Sequence, residues 1–428
     1  MKCIDILTAQ LNSAEKQTRL EALSEIVGLE NNGGLTKPVR TDNVNNHIHT
    51  KYSFSPYSPS AAVYYARNAG LSTAGIMDHD SVGGCREFLK AGGIADMAVT
   101  CGFECRVHMT GTPLEAMRFN NPDQKSIAYV TLHGIPNGNI ELCEEFLAPY
   151  RMHRNIRNRL MTQKINHIFK DYNISIDYER DVVPLSLSSE GGSITERHIL
   201  FALSLKICDD LGKGRKIVNF LKNDLRLELS SKNEGYLGDS GNSYYEYDLL
   251  GTLKSGLVSE FYIDAADECP HVSEFIRFAD KVGGISAYAY LGDVVDSVTG
   301  DKKAQKFEDG CLDELFDVIT SLGFRAVTYM PSRNTLPQLK RVISLCDDHN
   351  LFQISGEDIN TPRQSFICSA QCMQECRHLL ESTWALIGHE RAGSENIGNG
   401  MFSKQMIEKY PLVSDRVHYF ANTVIRGR

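Results

Sequence analysis

A chain of 428 residues exceeds one ordinary domain, so a large barrel carrying an insertion, or two domains, is expected. With 42% hydrophobic and 23% charged residues the composition is that of a globular protein with an ample core. A formal net charge of −9 argues against a general binder of nucleic acid or anionic membranes, and so against an exonuclease or proofreading role. Any positive charge needed for an anionic substrate then has to be local, from metal ions or a few arginines.

No run approaches 18 apolar residues, and Met1-Lys2-Cys3-Ile4-Asp5 lacks the apolar core of a signal peptide, so a cytoplasmic protein with no membrane partner is expected. Twelve cysteines without tight pairing read as reduced thiols. Cys368, Cys372 and Cys376 recur every four residues and would share one face of a helix; buried small hydrophobes are the favoured reading over a cluster site.

In chain order, residues 1–31 have helical spacing (Leu7, Leu11, Leu20, Leu23, Ile26, Leu29), stopped by Asn31-Asn32-Gly33-Gly34. Residues 1–42 are thus an N-terminal helical extension. His47 and His49 follow on a short strand, where residues two apart project to the same side. A helix over 60–69 leads to a strand ending at Asp78-His79-Asp80. A helix over 82–91 leads to a strand over 97–103 ending at Glu104, and a further strand over 126–132 ends at His133. Four strands finishing on a potential ligand suggest a parallel barrel with a divalent-metal site at its strand ends. Residues 137–261 break the rhythm with basic helices (Arg151, Arg154, Arg157, Arg159, Lys164) and polar glycine-rich passages, and read as an insertion over the barrel mouth. Gly212-Lys213-Gly214-Arg215-Lys216 lacks the spacing of a phosphate-cradling loop. The barrel rhythm returns over 262–428, with strands over 285–289, 326–329 and 352–355. These lead to Tyr290 and Asp293, to Arg333, and to Gly356-Glu357-Asp358-Ile359-Asn360.

Taken together, His47-x-His49, Met77-Asp78-His79-Asp80, Gly102-Phe103-Glu104, His133, Gly283-Gly284 and Gly356-Glu357-Asp358-Ile359-Asn360 resemble the PHP (polymerase and histidinol phosphatase) superfamily. Motif order and spacing carry the resemblance, over about residues 43–136 and 270–362. It implies a distorted TIM-like (β/α)7 barrel that hydrolyses phosphate esters with up to three divalent metals. By position, His47, His49, Glu104 and Asp358 would hold one metal; Glu104 would bridge to a second at His133; His79 would belong to a third. The chain departs from the pattern at Phe54, where an Asp is usual, at Ala289-Tyr290-Leu291 in place of Ala-His-Pro, and at Asn360 in place of a final His. The third site is therefore expected to be empty or very weak. Tyr290, Asp293 or Asn360 are candidate substitute oxygen ligands at the depleted sites, favouring harder ions. Asp78 is a candidate orienter of His79.

The expected function is a metal-dependent phosphoesterase, with one or two ions (Mn2+, Zn2+, Fe2+ or Mg2+) activating water against a small phosphorylated metabolite or nucleotide. Glu104, Asp358 and His133 would carry the chemistry, and Arg197, His198 and Arg333 would meet the substrate. A degenerate, non-catalytic metal- or ligand-binding barrel, and a metal hydrolase of a non-phosphate bond, stay open as alternatives.

Overall fold

The structure, a computed structural model, describes residues 4–121, 123–293 and 307–425. Helices α1 (Ile4–Gln10) and α2 (Lys16–Asn31) precede β1 (Val44–Ile48), α3 (Pro59–Asn68), β2 (Thr73–His79), α4 (Cys85–Ile94), β3 (Ala98–His108) and β4 (Ile127–His133). The chain then leaves the sheet through α5 (Ile140–Ile168), α6 (Glu196–Leu211), α7 (Arg215–Asn219), α8 (Ser231–Gly238) and α9 (Tyr245–Phe261). It returns with α10 (Val272–Val282), β5 (Ile285–Tyr290), α11 (Leu312–Leu322), β6 (Ala326–Tyr329), α12 (Leu336–Asp348) and β7 (Phe352–Ser355), and ends in α13 (His378–Glu395), α14 (Lys404–Lys409) and α15 (Val413–Ile425).

The strands form one sheet in sequence order, curled until β1 bridges the segment after β7 through Ile48 and Ile359. This is the expected distorted TIM-like barrel, with one correction. β4 runs antiparallel to both β3 and β5, so the barrel is mixed rather than wholly parallel. Among the described residues of the 109–126 connection there is no crossover helix, the usual link between parallel strands, and the chain returns antiparallel. Consequently β3 continues past Glu104 to His108, leaving Glu104 in mid-strand level with His79, and His133 lies one step deeper, opposite Gly102.

Strand alternation sorts the side chains. Ile48, Ile76, Phe103, Val107, Val130 and Leu132 face the outer helices and pack with Phe88, Phe275 and Phe316 in the main core. The alternate residues, among them His47, His79, Glu104, Arg106, Tyr129 and His133, face inward. Helix α13 contacts β1, β3 and β7, and the apolar cluster of Ile285, Ala287, Phe352, Leu386 and Met401 fills that end of the barrel. The opposite end is covered by α6 and α9, which with α5 and α7 build a second apolar core around Ile165, Leu203, Leu221, Leu253 and Phe261. Helix α5, 29 residues and so about 43 Å long, joins the two cores: Cys143 and Leu147 sit in the first, Met161 and Ile165 in the second.

The cysteine spacing does not mark a helix. Met373, in extended conformation, separates two short 3-10 turns, so Cys368 and Cys376 are buried while Cys372 is exposed. Among the described residues no helix is long and apolar enough to cross a membrane.

One buried acid ties α13 to the strand that carries Glu104. Glu390 accepts from the Thr100 hydroxyl (2.6 Å) and the Cys101 N–H (2.8 Å), and burial outweighs these bonds and raises its pKa to about 7. The folded state thus keeps a proton that the unfolded state releases near pH 4.3. Stability from this group is complete below that pH and is lost as pH rises through 7, by roughly 4 kcal/mol. Denaturant unfolding from pH 4.5 to 8 should show this fall in the wild type and a flatter profile in Glu390→Gln.

Candidate metal centre and its cavity

The site is built where the barrel closes. His49 N–H donates to Ile359 O (3.0 Å) and Ile359 N–H donates to His47 O (3.2 Å). Ile48 and Ile359 turn to the core, so His47, His49, Asp358 and Asn360 are left on the inner side. Gly356 permits this approach: a Cβ there would lie 2.6 Å from His47 Cβ.

His47, His49 and Glu104 each offer a ligand atom within 4.8 Å of the others, and all three are buried. His47 Nε2 lies 3.8 Å, and His79 Nδ1 2.9 Å, from the same Glu104 Oε2. The rings of His49 and His79 are 4.6 Å apart. His79 is therefore part of the cluster, attached to the central carboxylate. Burial works against Glu104's charge, but His79 and His47 outweigh it and hold the carboxyl well below its usual range. Burial lowers His79. It opposes the charge on His49 too, but Asp358 and Glu104 drive that imidazole up.

The tautomer of His49 follows from its neighbours. Ser53 donates its hydroxyl proton to Asp78 Oδ1 (2.6 Å), so Ser53 Oγ accepts from His49 Nδ1–H (3.1 Å). Nε2 is left as a lone pair, 3.1 Å from Asp358 Oδ1 yet without a hydrogen bond. Two lone-pair atoms that close require a cation between them, a proton or a metal ion. His133 Nε2 is likewise buried without a partner, its ring 1% exposed and its pKa lowered to about 3 by burial. Orphaned imidazole nitrogens beside two carboxylates fit a divalent ion.

Several expected roles are corrected. Asp78 does not orient His79, because neighbours on a strand point to opposite sides. It grips the loop after His49 instead, accepting from Thr50 N–H (2.7 Å), Thr50 Oγ1 (2.6 Å) and Ser53. Tyr290 borders the cavity at the end of β5, but its hydroxyl is donated to Asp309 (2.6 Å) and its ring packs in the main core. Asp293 accepts from the N–H groups of Phe307 and Glu308. Neither joins the donor cluster. Asn360 donates to Asp358 Oδ1 (2.7 Å), steadying that carboxylate, and its own Oδ1 is buried without a partner. His198 closes the capping box of α6 with Thr195 and does not line the cavity. Phe54 turns away from the cluster into the second core.

Above the donors lies a cavity of about 410 Å3, bounded by His47, His79, Glu104 and Asp358 below and by residues of α6 and α9 above. Arg197 and Arg333 line it, Arg333 also donating from Nε to Leu291 O (3.1 Å). Arg106 and Arg154 line it too. They belong to a buried network in which Arg106 pairs with Glu268, Arg154 with Asp80 and Glu196, and Arg157 with Glu196 and Glu268. Arg106 was discoverable in the sequence, two residues after Glu104 and hence on the same side of β3. Arg151, Arg154 and Arg157 repeat every three residues, the spacing of one helix face. Ser53 carries no such signal.

Asp78→Ala should leave the fold intact and weaken Mn2+ binding about 10- to 100-fold, because the loop that orients His49 loses its anchor; isothermal titration with Mn2+ measures it.

The sequence matches no protein-family model and no curated protein. Among solved structures, the fold is similar to a candidate metal-dependent phosphoesterase from Bifidobacterium adolescentis (TM-score 0.52, 18% identity, covering 81% of this chain and 97% of that one). It is also similar to an amidohydrolase from Chromobacterium violaceum with bound sulfate and no metal (TM-score 0.52, 15% identity, covering 79% and 96%). At these identities what is shared is the fold.

Proposed function

We propose that the chain is a PHP-type, metal-dependent hydrolase of phosphate esters, acting on a small phosphorylated metabolite or nucleotide. The observation that carries this is the buried His47–His49–Glu104 donor set at the floor of a cavity whose walls present arginines. His47, His49, Glu104 and Asp358 would hold a divalent ion, with His133 the further donor on the far side of Glu104. When bound, such an ion neutralises phosphate oxygens and acidifies a water toward neutral pKa.

The protein's own groups do the rest. Ser53 and Asp78 fix His49 in the tautomer that presents Nε2, and His79 holds the orientation of Glu104. Asn360 does the same for Asp358. Arg154, Arg197 and Arg333 offer N–H groups to the phosphate, with the planar donor geometry that suits its oxygens. The α6 and α9 wall shields the cavity from bulk water, which strengthens each of these contacts. All eleven described cysteines are unpaired, which supports a reducing, cytoplasmic setting.

One observation favours a second reading, hydrolysis of an amide or carboxylic ester. Arg106 and Arg154 are already paired with buried carboxylates, so the cavity is less cationic than its arginine count implies. The amidohydrolase of similar fold belongs to that class by its name.

Turnover of p-nitrophenyl phosphate and nucleoside monophosphates with added Mn2+ separates the two. The phosphoester reading expects turnover that Glu104→Ala lowers by at least about 1,000-fold. Metal binding with no turnover of any phosphate ester, but cleavage of p-nitrophenyl acetate or an acyl-anilide, would establish the second.

A further inference from the structure

We propose that Phe54 is a positioning residue: it locks the helical cover onto the loop of the metal-binding histidines and so sets where Arg197 stands in the cavity. This rests on the phosphoesterase reading given above.

The backbone makes the first case. Phe54 has φ of +136°, a region that L side chains rarely occupy and where glycine is the default. A phenylalanine persists there only if its side chain compensates. The ring is 7% exposed and belongs to the second apolar core, although its backbone belongs to the barrel. It meets His198 (centroids 5.1 Å apart) and Phe201 (5.6 Å) edge to face. The guanidinium carbon of Arg197 lies 5.5 Å from the ring centroid.

The turn makes the second case. Ser53, one residue before, points the opposite way and bridges His49 and Asp78. Tyr52, one residue further back, accepts at its carbonyl from Ser193 N–H (2.7 Å), three residues ahead of α6. Tyr52 and Phe54 therefore tie the loop, which Ser53 anchors to His49 and Asp78, to the start of α6, and Arg197 is on the first turn of that helix. Any shift of Phe54 displaces Arg197 relative to His49.

The test is isothermal titration of inorganic phosphate onto the full-length protein loaded with Mn2+, for the wild type, Phe54→Leu, Phe54→Tyr, Arg197→Ala and the Phe54→Leu/Arg197→Ala double variant. Leucine fills much of the space but lacks the aromatic face; tyrosine keeps it. The proposal expects Mn2+ stoichiometry and affinity to be unchanged throughout. Phosphate affinity should fall roughly 3- to 30-fold in Phe54→Leu, be retained in Phe54→Tyr, and be no weaker in the double variant than in Arg197→Ala. Wild-type phosphate affinity in Phe54→Leu, loss of Mn2+ in that variant, or losses that multiply in the double variant would overturn it. If the wild type binds Mn2+ but no phosphate, the phosphoesterase reading falls and takes the assignment with it; that outcome is distinct from the others.

Discussion

The closure of the barrel is the constraint on which the site depends. Two backbone–backbone hydrogen bonds join its edges there, and both use Ile359, one to each side of Ile48. Strand alternation then leaves no choice: with Ile48 and Ile359 in the core, His47, His49, Asp358 and Asn360 converge on the interior. The donors come from opposite ends of a chain segment more than 300 residues long, so no local preference assembles them. Folding of the whole barrel does. The same seam explains the demand for glycine at position 356, where a side chain would press on His47.

The second organising feature is the charge network above the donors. Arg106, Arg154 and Arg157 are buried with Asp80 and Glu268, and share the half-buried Glu196. Taking such charges out of water is costly, and removing one partner typically costs about 3–5 kcal/mol because the other is left uncompensated. The network therefore fixes relative positions more than it adds net stability. Its members come from β3, from the end of β2, from α5, from α6 and from the chain returning to α10, so it orients the helical cover over the barrel. Under the phosphoesterase proposal, an incoming anion would meet arginines whose orientation is already set.

Much of this was legible in the sequence, and the reason is periodicity. The His47/His49 pair and the strand-helix rhythm are local patterns read along single elements, and with the motif order they pointed to the barrel and to its candidate donors. What escaped depended on direction and on distant partners. Nothing in the 109–126 connection announced that β4 would run antiparallel, and that reversal sets the depth of His133. Asp78 beside His79 invited a pairing by adjacency, whereas alternation sends it to the neighbouring loop. The partners of Tyr290 and Asp293, Asp309 and the backbone at 307–308, are distant along the chain, so adjacency does not show that both groups are already engaged. Phe54 was legible only as a missing carboxylate; that its ring belongs to the second core required the fold.

The central claim is that His47, His49 and Glu104 hold a divalent ion. Anomalous scattering from crystals grown with Mn2+, recorded for the wild type and for His49→Ala, tests it most directly. The account predicts a manganese peak coordinated by His47 Nε2, His49 Nε2 and a Glu104 oxygen, absent from His49→Ala crystals of unchanged fold. A wild-type map with no peak among these residues at saturating Mn2+, or a peak that survives His49→Ala at the same position and occupancy, would contradict it.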